Sequence, residues 1–161
     1  MKTMATSERE RLLWNRYNAL LTTVPGMIDE RMRAATGLSR FQFMLLETLD
    51  KNPDGRLQLA DVARAADSSL SRLSHAITRL EEAGLVERQT CDEDRRASWA
   101  VLTPAGATAV ADARDSSAAV MREVLLDRIP EGRQEDAIAF LTSLLPTDVA
   151  IACESIDGPD A

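Results

Sequence analysis

The chain has 161 residues, 45% of them apolar, enough for one domain with a sizeable core. Aromatic residues make up only 4% while alanine and leucine are abundant, which favours helix over sheet. No apolar run approaches the roughly 18–20 residues of a membrane span, and polar Met1–Arg11 lacks the apolar stretch of a secretory signal, so a cytoplasmic protein is expected. The net charge of −7 argues against an indiscriminate polyanion binder. Residues 103–161, with 4 basic and 11 acidic groups, hold the whole excess, and residues 56–102, with 7 and 8, are close to neutral. Cys91 and Cys153 have no CxxC or Cys/His company, so neither a metal site nor a cofactor is expected, and a reducing compartment keeps both as thiols.

Ser7 and Glu10 fit a capping box that opens a helix. Leu13, Tyr17, Leu20, Leu21, Val24 and Ile28 continue it as one apolar stripe, interrupted at Pro25-Gly26 and stopped by Gly37. The phase survives the interruption, so one long helix, kinked or briefly broken at Pro25, is expected. Ser39 and Gln42 form a second capping box, with Leu38 and Phe43 placed as a hydrophobic staple. Its helix runs to about Asp50 with Phe41, Leu45 and Leu49 inward. Asn52-Pro53-Asp54-Gly55 is a turn, followed by a very short strand at Arg56–Gln58.

Leu59, Val62, Ala63 and Ala66 mark a short amphipathic helix, and Asp67-Ser68-Ser69 gives a turn and a new N-cap. The next helix buries Leu70, Leu73, Ile77 and Leu80 and ends at Gly84. Val86–Cys91 and Ser98–Leu102 read as two strands joined by a hydrophilic loop, Asp92–Ala97. Thr103-Pro104 starts a helix that runs to about Asp127, Pro130 breaks it, and a last helix carries Ala137, Phe140, Leu141, Leu144 and Leu145 to Pro146. Residues 147–161 are expected to be a frayed, disordered tail.

Two short helices joined by a tight turn make a helix-turn-helix, and the hairpin after them makes it winged. The second helix of such a unit enters the major groove. Its outward face here offers Ser69, Ser71, Arg72, Ser74, His75, Thr78 and Arg79, and no acid occurs from Ser68 to Leu80 in a chain with 26. Short hydroxyls allow close approach to phosphates, and arginine binds guanine bidentately. A solvated helix face explains the same residues less specifically.

Leu70-Ser71-Arg72-Leu73-Ser74-His75 through Arg79-Leu80-Glu81-Glu82-Ala83-Gly84-Leu85-Val86-Glu87-Arg88 resembles the recognition helix and first wing strand of the MarR (multiple-antibiotic-resistance regulator) family. Asp94-Arg95-Arg96-Ala97 is similar to that family's wing signature, and Leu102-Thr103-Pro104-Ala105-Gly106 to the motif that follows it. The resemblance covers about residues 8–146. It implies a mainly α fold with a small β-hairpin wing: a dimerisation helix at 8–37, a winged helix-turn-helix at 38–103, and dimerisation helices at 104–146, forming one compact domain.

The function it implies is a homodimeric, ligand-responsive repressor that binds a pseudo-palindromic site on double-stranded DNA. Ser68, Ser69, Ser71, Arg72, Ser74, His75 and Arg79 are the candidate contacts of the helix, and Arg95 and Arg96 those of the wing, with Arg95 favoured for the minor groove. His75 departs from the arginine common at its position. The family's small aromatic or phenolic effectors bind between the dimer helices and the winged unit, which makes Trp14, Tyr17, Met27, Phe43 and Met44 the ligand candidates, although such stripes usually belong to the core. The peroxide sensors of the family use a cysteine near the first helix, and residues 1–36 have none. An enzyme is disfavoured by the single histidine and the lack of a phosphate loop. The rival reading is a winged-helix protein-interaction module without DNA binding.

Overall fold

The computed structural model describes residues 6–59, 70–90 and 98–156. Two compact units divide the chain, residues 1–121 and 122–161. Among the described residues no helix is long and apolar enough to cross a membrane.

The first unit opens with α1, Glu8–Thr36, which runs without a break through Pro25. The Ser7 hydroxyl accepts the Glu10 N–H at 3.3 Å and the Ser7 N–H donates to the Glu10 carboxylate at 2.6 Å. The Ser7 hydroxyl first, and its N–H second, hold the Glu10 carboxyl below the usual carboxylate range. At the other end Gly37, at φ 74°, donates its N–H to the Arg33 carbonyl. A left-handed residue is needed there to close the last turn, which is why glycine occupies it.

Helix α2, Arg40–Lys51, starts on the expected box, with the Ser39 hydroxyl accepting the Gln42 N–H and the Gln42 side chain accepting the Ser39 N–H. Leu38 and Phe43 are both buried, as a staple across that box requires. Asp29 of α1 adds a carboxylate at the same helix start, accepting the Arg40 N–H at 2.8 Å and pairing with Arg33 at 3.1 Å. Its charge also favours the positive end of the helix dipole. Ser39 is itself buried, so Ser39→Ala should cost about 1–2 kcal/mol, read as a lower urea midpoint with unchanged slope.

Leu45 and Leu49 are buried as expected, together with Phe43 and Leu46. Phe41 is only half-buried, which corrects its assignment to the core. The inward stripe begins two positions later, at the staple.

Strand β1, Arg56–Gln58, and the hairpin β2, Val86–Thr90, and β3, Ser98–Leu102, form an antiparallel sheet in the order β1-β3-β2. Arg56 pairs with Val101 on one side of β3, and Val86 with Leu102 on the other. Strand β1 thus pairs with β3 along Trp99–Val101, on the side away from β2. Helix α3, Leu70–Glu82, packs against α2 and β2, and α2 also packs on α1 and β3. Leu46, Leu49, Leu73, Ile77, Leu80, Val86 and Ala100 are the centre of this core.

Helix α4, Pro104–Val124, begins where Thr103 and Pro104 place it. The Thr103 hydroxyl accepts the Gly106 N–H at 3.0 Å and donates to the Gly84 carbonyl at 2.8 Å. Val110 and Ala113 are buried, and Arg114 pairs with Asp50 at the end of α2. The helix stops at Val124, short of Asp127, and a single 3-10 turn, Leu126–Arg128, replaces its last residues.

The second unit contains that turn, α5, Gln134–Ser143, and α6, Thr147–Ile156. Helix α6 corrects the expectation of a disordered tail over residues 147–156, and 157–161 lie outside the described residues. Its first half, Val149-Ala150-Ile151-Ala152, is apolar, with Asp148 in the first turn and the Ala150 N–H bonded to the Pro146 carbonyl. Pro146 lies between the two helices, directly before the first residue of α6.

Candidate nucleic-acid interface

Helix α3 separates its residues by helical phase. Leu73, Ala76, Ile77 and Leu80 are buried, whereas Ser71, Arg72, Ser74, His75, Thr78 and Arg79 are exposed. Its C-terminus closes through the Leu85 N–H to the Leu80 carbonyl and the Gly84 N–H to the Glu81 carbonyl, both at 2.9 Å. Gly84 sits at φ 72° in this paired-bond cap. The cap turns the chain directly into β2, so the helix and the wing strand have one rigid corner between them.

The exposed face is cationic without an interposed acid. Arg72, His75 and Arg79 line a shallow cleft with Phe41 and Gln42 of α2 and Asp29 and Arg33 of α1. The Arg72 guanidinium lies 4.6 Å from the centre of the Phe41 ring, a cation–π distance that gives this long side chain a resting place beside the exposed face of α3. On the neighbouring stripe, the Thr78 hydroxyl donates to the Ser74 carbonyl at 2.9 Å, and Arg88 of β2 reaches the same two residues. Arg56 stacks at 5.0 Å over Trp99 at the β1 edge.

Ser71, Arg72, His75 and Arg79 therefore share one exposed face, as the periodicity requires, and Ser74 is exposed on the stripe beside it. Ser68, Ser69, Arg95 and Arg96 lie outside the described residues, as do the helix expected from Leu59, the wing loop at 92–97 and Cys91.

The ligand candidates are more dispersed. Trp14 and Tyr17 are exposed on α1 with ring centres 5.8 Å apart, Met27 is half-buried, and Phe43 is a core residue beneath the α2 box. Met44 lines a second cleft with Pro25, Gly26, Asp29, Arg40, Phe41 and Arg72. Phe41 and Arg33, which sequence reading did not place at the site, border the cleft through tertiary contact alone.

Residues 36–97 match the model described as the MarR family. A regulator from Bacillus subtilis strain 168, YfiV, described as an uncharacterized HTH-type transcriptional regulator, is 32% identical over 98 residues. That alignment covers 60% of this chain and 59% of YfiV, so the chain spans less than two thirds of this relative. Among solved structures, Sco3205, a MarR-family transcriptional regulator from Streptomyces coelicolor crystallised with DNA, superposes with a TM-score of 0.76. It is 26% identical, with 98% of this chain and 94% of Sco3205 covered.

Residues 36–97 are thus similar to the MarR family, and the chain has the fold of its solved members.

AbsC, a second MarR-family regulator from Streptomyces coelicolor, gives the same TM-score of 0.76 at 27% identity, covering 95% of this chain and 99% of AbsC. The mainly helical architecture with a small antiparallel sheet is the MarR winged-helix fold. Within it α3 has the position of the recognition helix and β2–β3 that of the wing.

Proposed function

We propose that this protein is a MarR-family transcription regulator that binds double-stranded DNA sequence-specifically and acts in the cytoplasm as a homodimer. The observation that carries the reading is the exposed, acid-free face of α3, where Arg72, His75 and Arg79 stand opposite a fully apolar anchoring stripe. Inserted in the major groove, this face presents guanidinium and hydroxyl donors to base edges and phosphates. Arg95 and Arg96 are the wing contacts in the adjacent minor groove, with Arg95 the one that inserts. Sco3205, crystallised with DNA, supports the same use of the fold here.

The dimer reading rests on apolar surface. Leu12, Leu13, Trp14, Leu20 and Leu21 of α1 are all more than half exposed, and Ile138, Phe140, Leu141, Val149 and Ile151 of the second unit are open as well. A monomer rarely leaves this many large apolar side chains open to water. Residues 8–37 and 104–146 are its proposed dimerisation regions. A two-fold axis then sets half-sites about 10 bp apart on a pseudo-palindromic operator.

Repression relieved by a small aromatic or phenolic effector completes the reading. The Met44–Phe41–Arg72 cleft offers such a molecule an aromatic wall and a guanidinium. Binding that favours a dimer with another spacing of the two α3 helices would depopulate the DNA-binding form, and a hundredfold loss of affinity needs about 2.7 kcal/mol of coupling.

Selection of duplexes from a random-sequence library tests the proposal. The purified protein should enrich a pseudo-palindrome bound by two copies. Failure to enrich any sequence would contradict it and favour a protein-interaction module, a role with which the acidic C-terminal third is compatible.

A further inference from the structure

We infer that Arg88 is a positioning residue that locks the groove-reading helix to the wing strand, so that sequence discrimination depends on it while phosphate attraction does not. The inference rests on the DNA-binding reading above. Arg88 is in the middle of β2, paired across the sheet with buried Ala100. Its side chain leaves the strand and crosses to α3. One terminal nitrogen donates to the Ser74 carbonyl at 2.9 Å and to the Thr78 hydroxyl at 2.7 Å. Its Nε lies 3.3 Å from a Glu81 carboxylate oxygen, close enough for charge pairing but not aligned for a hydrogen bond.

Ser74, Thr78 and Glu81 are spaced i, i+4 and i+7, so they form a single stripe along α3. At about 100° per residue this stripe borders the buried one, and Ser71, Arg72, His75 and Arg79 lie beyond it on the outer face. The arginine thus grips the flank of the helix and leaves the reading face clear.

Apolar packing through Leu73, Ile77 and Leu80 fixes how deeply α3 sits but is non-directional, so it resists rotation about the helix axis weakly. A planar guanidinium with directional donors, attached at points about one turn apart, resists that rotation. A small roll of α3 would move Arg72 and Arg79 off the base edges they face, whereas contacts to phosphates tolerate it.

Two consequences follow for the surface. The Thr78 hydroxyl donates to the Ser74 carbonyl and accepts from Arg88, so it is committed within the protein and is not a base contact. Arg88 has Glu81 beside its Nε and one terminal nitrogen bound to α3, so its charge is paired within the protein rather than offered to DNA.

Binding of Arg88→Met and Thr78→Val to a duplex enriched by the wild type, and to a scrambled duplex of equal composition, tests this across a salt series. Arg88→Met should bind the enriched duplex about tenfold more weakly, leave the scrambled duplex unchanged and keep the wild-type salt slope. Thr78→Val should shift discrimination in the same direction, and it carries the test alone if Arg88→Met does not fold. Arg88→Lys keeps the charge without the fork and should not restore discrimination. Equal losses on both duplexes with a slope smaller by about one would make Arg88 a phosphate contact and overturn the inference. Unchanged discrimination would overturn it as well.

A wild-type protein that does not discriminate would defeat the DNA reading instead. The brace is then decided by amide exchange in Arg88→Met, or in Thr78→Val where that variant must stand in. Faster exchange across residues 74–82 with wild-type exchange in α2 supports it, and unchanged exchange across 74–82 overturns it.

Discussion

Gly106→Ala should destabilise the protein by about 3 kcal/mol without altering the outer face of α3. A methyl group at Gly106 would stand 2.1 Å from the Leu85 carbonyl oxygen and 2.7 Å from Leu102 Cδ1. The nearest obstacle is backbone and cannot rotate away. It is also occupied, because the Leu85 carbonyl accepts the Thr103 N–H at 3.2 Å, next to the bond from the Thr103 hydroxyl to Gly84. Relief requires the first turn of α4 to move away from the corner between α3 and β2, and that movement loosens these bonds too. Gly26→Ala is the internal control. It lies inside α1 with no atom within 4 Å of an added Cβ, so the same change there should stabilise by about 0.5–1 kcal/mol. Urea unfolding of the two variants checks both signs, and a Gly106→Ala midpoint equal to wild type would refute the close packing described at this corner.

Arg72→Ala should weaken binding to the operator by about 10–100-fold and relax the preference at one base pair of each half-site. Arg72 is exposed on the face of α3 and stacks on Phe41, a contact that contributes about 0.5–1 kcal/mol of stability, and urea unfolding of the variant gives its whole cost to folding. The loss on DNA must therefore exceed any loss of folding, and this separates a reading residue from a structural one. Arg72→Lys should be intermediate in affinity but as relaxed as alanine in preference, because it keeps the charge and loses the planar fork. Anisotropy titration against the enriched duplex and its single-base variants gives both numbers. A uniform loss across all duplexes would reassign Arg72 to a phosphate.

Local signals in the sequence were reliable where a backbone requirement selects a residue type. The two capping boxes at Ser7/Glu10 and Ser39/Gln42, the glycine stops at Gly37 and Gly84, and the Thr103-Pro104 start all stand where they were expected. The amphipathic spacing of α3 likewise identified its buried and exposed faces. Errors arose where composition stood in for pattern. The tail at 147–161 was judged by its acids, yet the run from Val149 to Ala152 suits a helix. A different error is Phe41, placed inward in phase with Leu45 and Leu49, whereas its ring is half-buried and stacks on Arg72.

The contacts that assemble the site were not legible. Arg88 reaches Ser74 across 14 positions and Asp29 caps the start of α2 across 11, and no periodicity encodes such pairs. The apolar stripe of α1 was legible as a stripe. Its exposure in the single chain is what spacing alone did not show: Trp14 is 62% exposed, so the stripe is apolar surface rather than core.

The most direct test of the account is the ratio of affinities for the enriched duplex and a scrambled duplex, measured by fluorescence anisotropy at several salt concentrations. Binding by two copies of the chain, at least about a thousandfold tighter to the enriched duplex and weakening steadily with salt, is the predicted result. Equal and weak binding to both duplexes at every salt concentration would contradict the assignment of α3 as a DNA-reading helix.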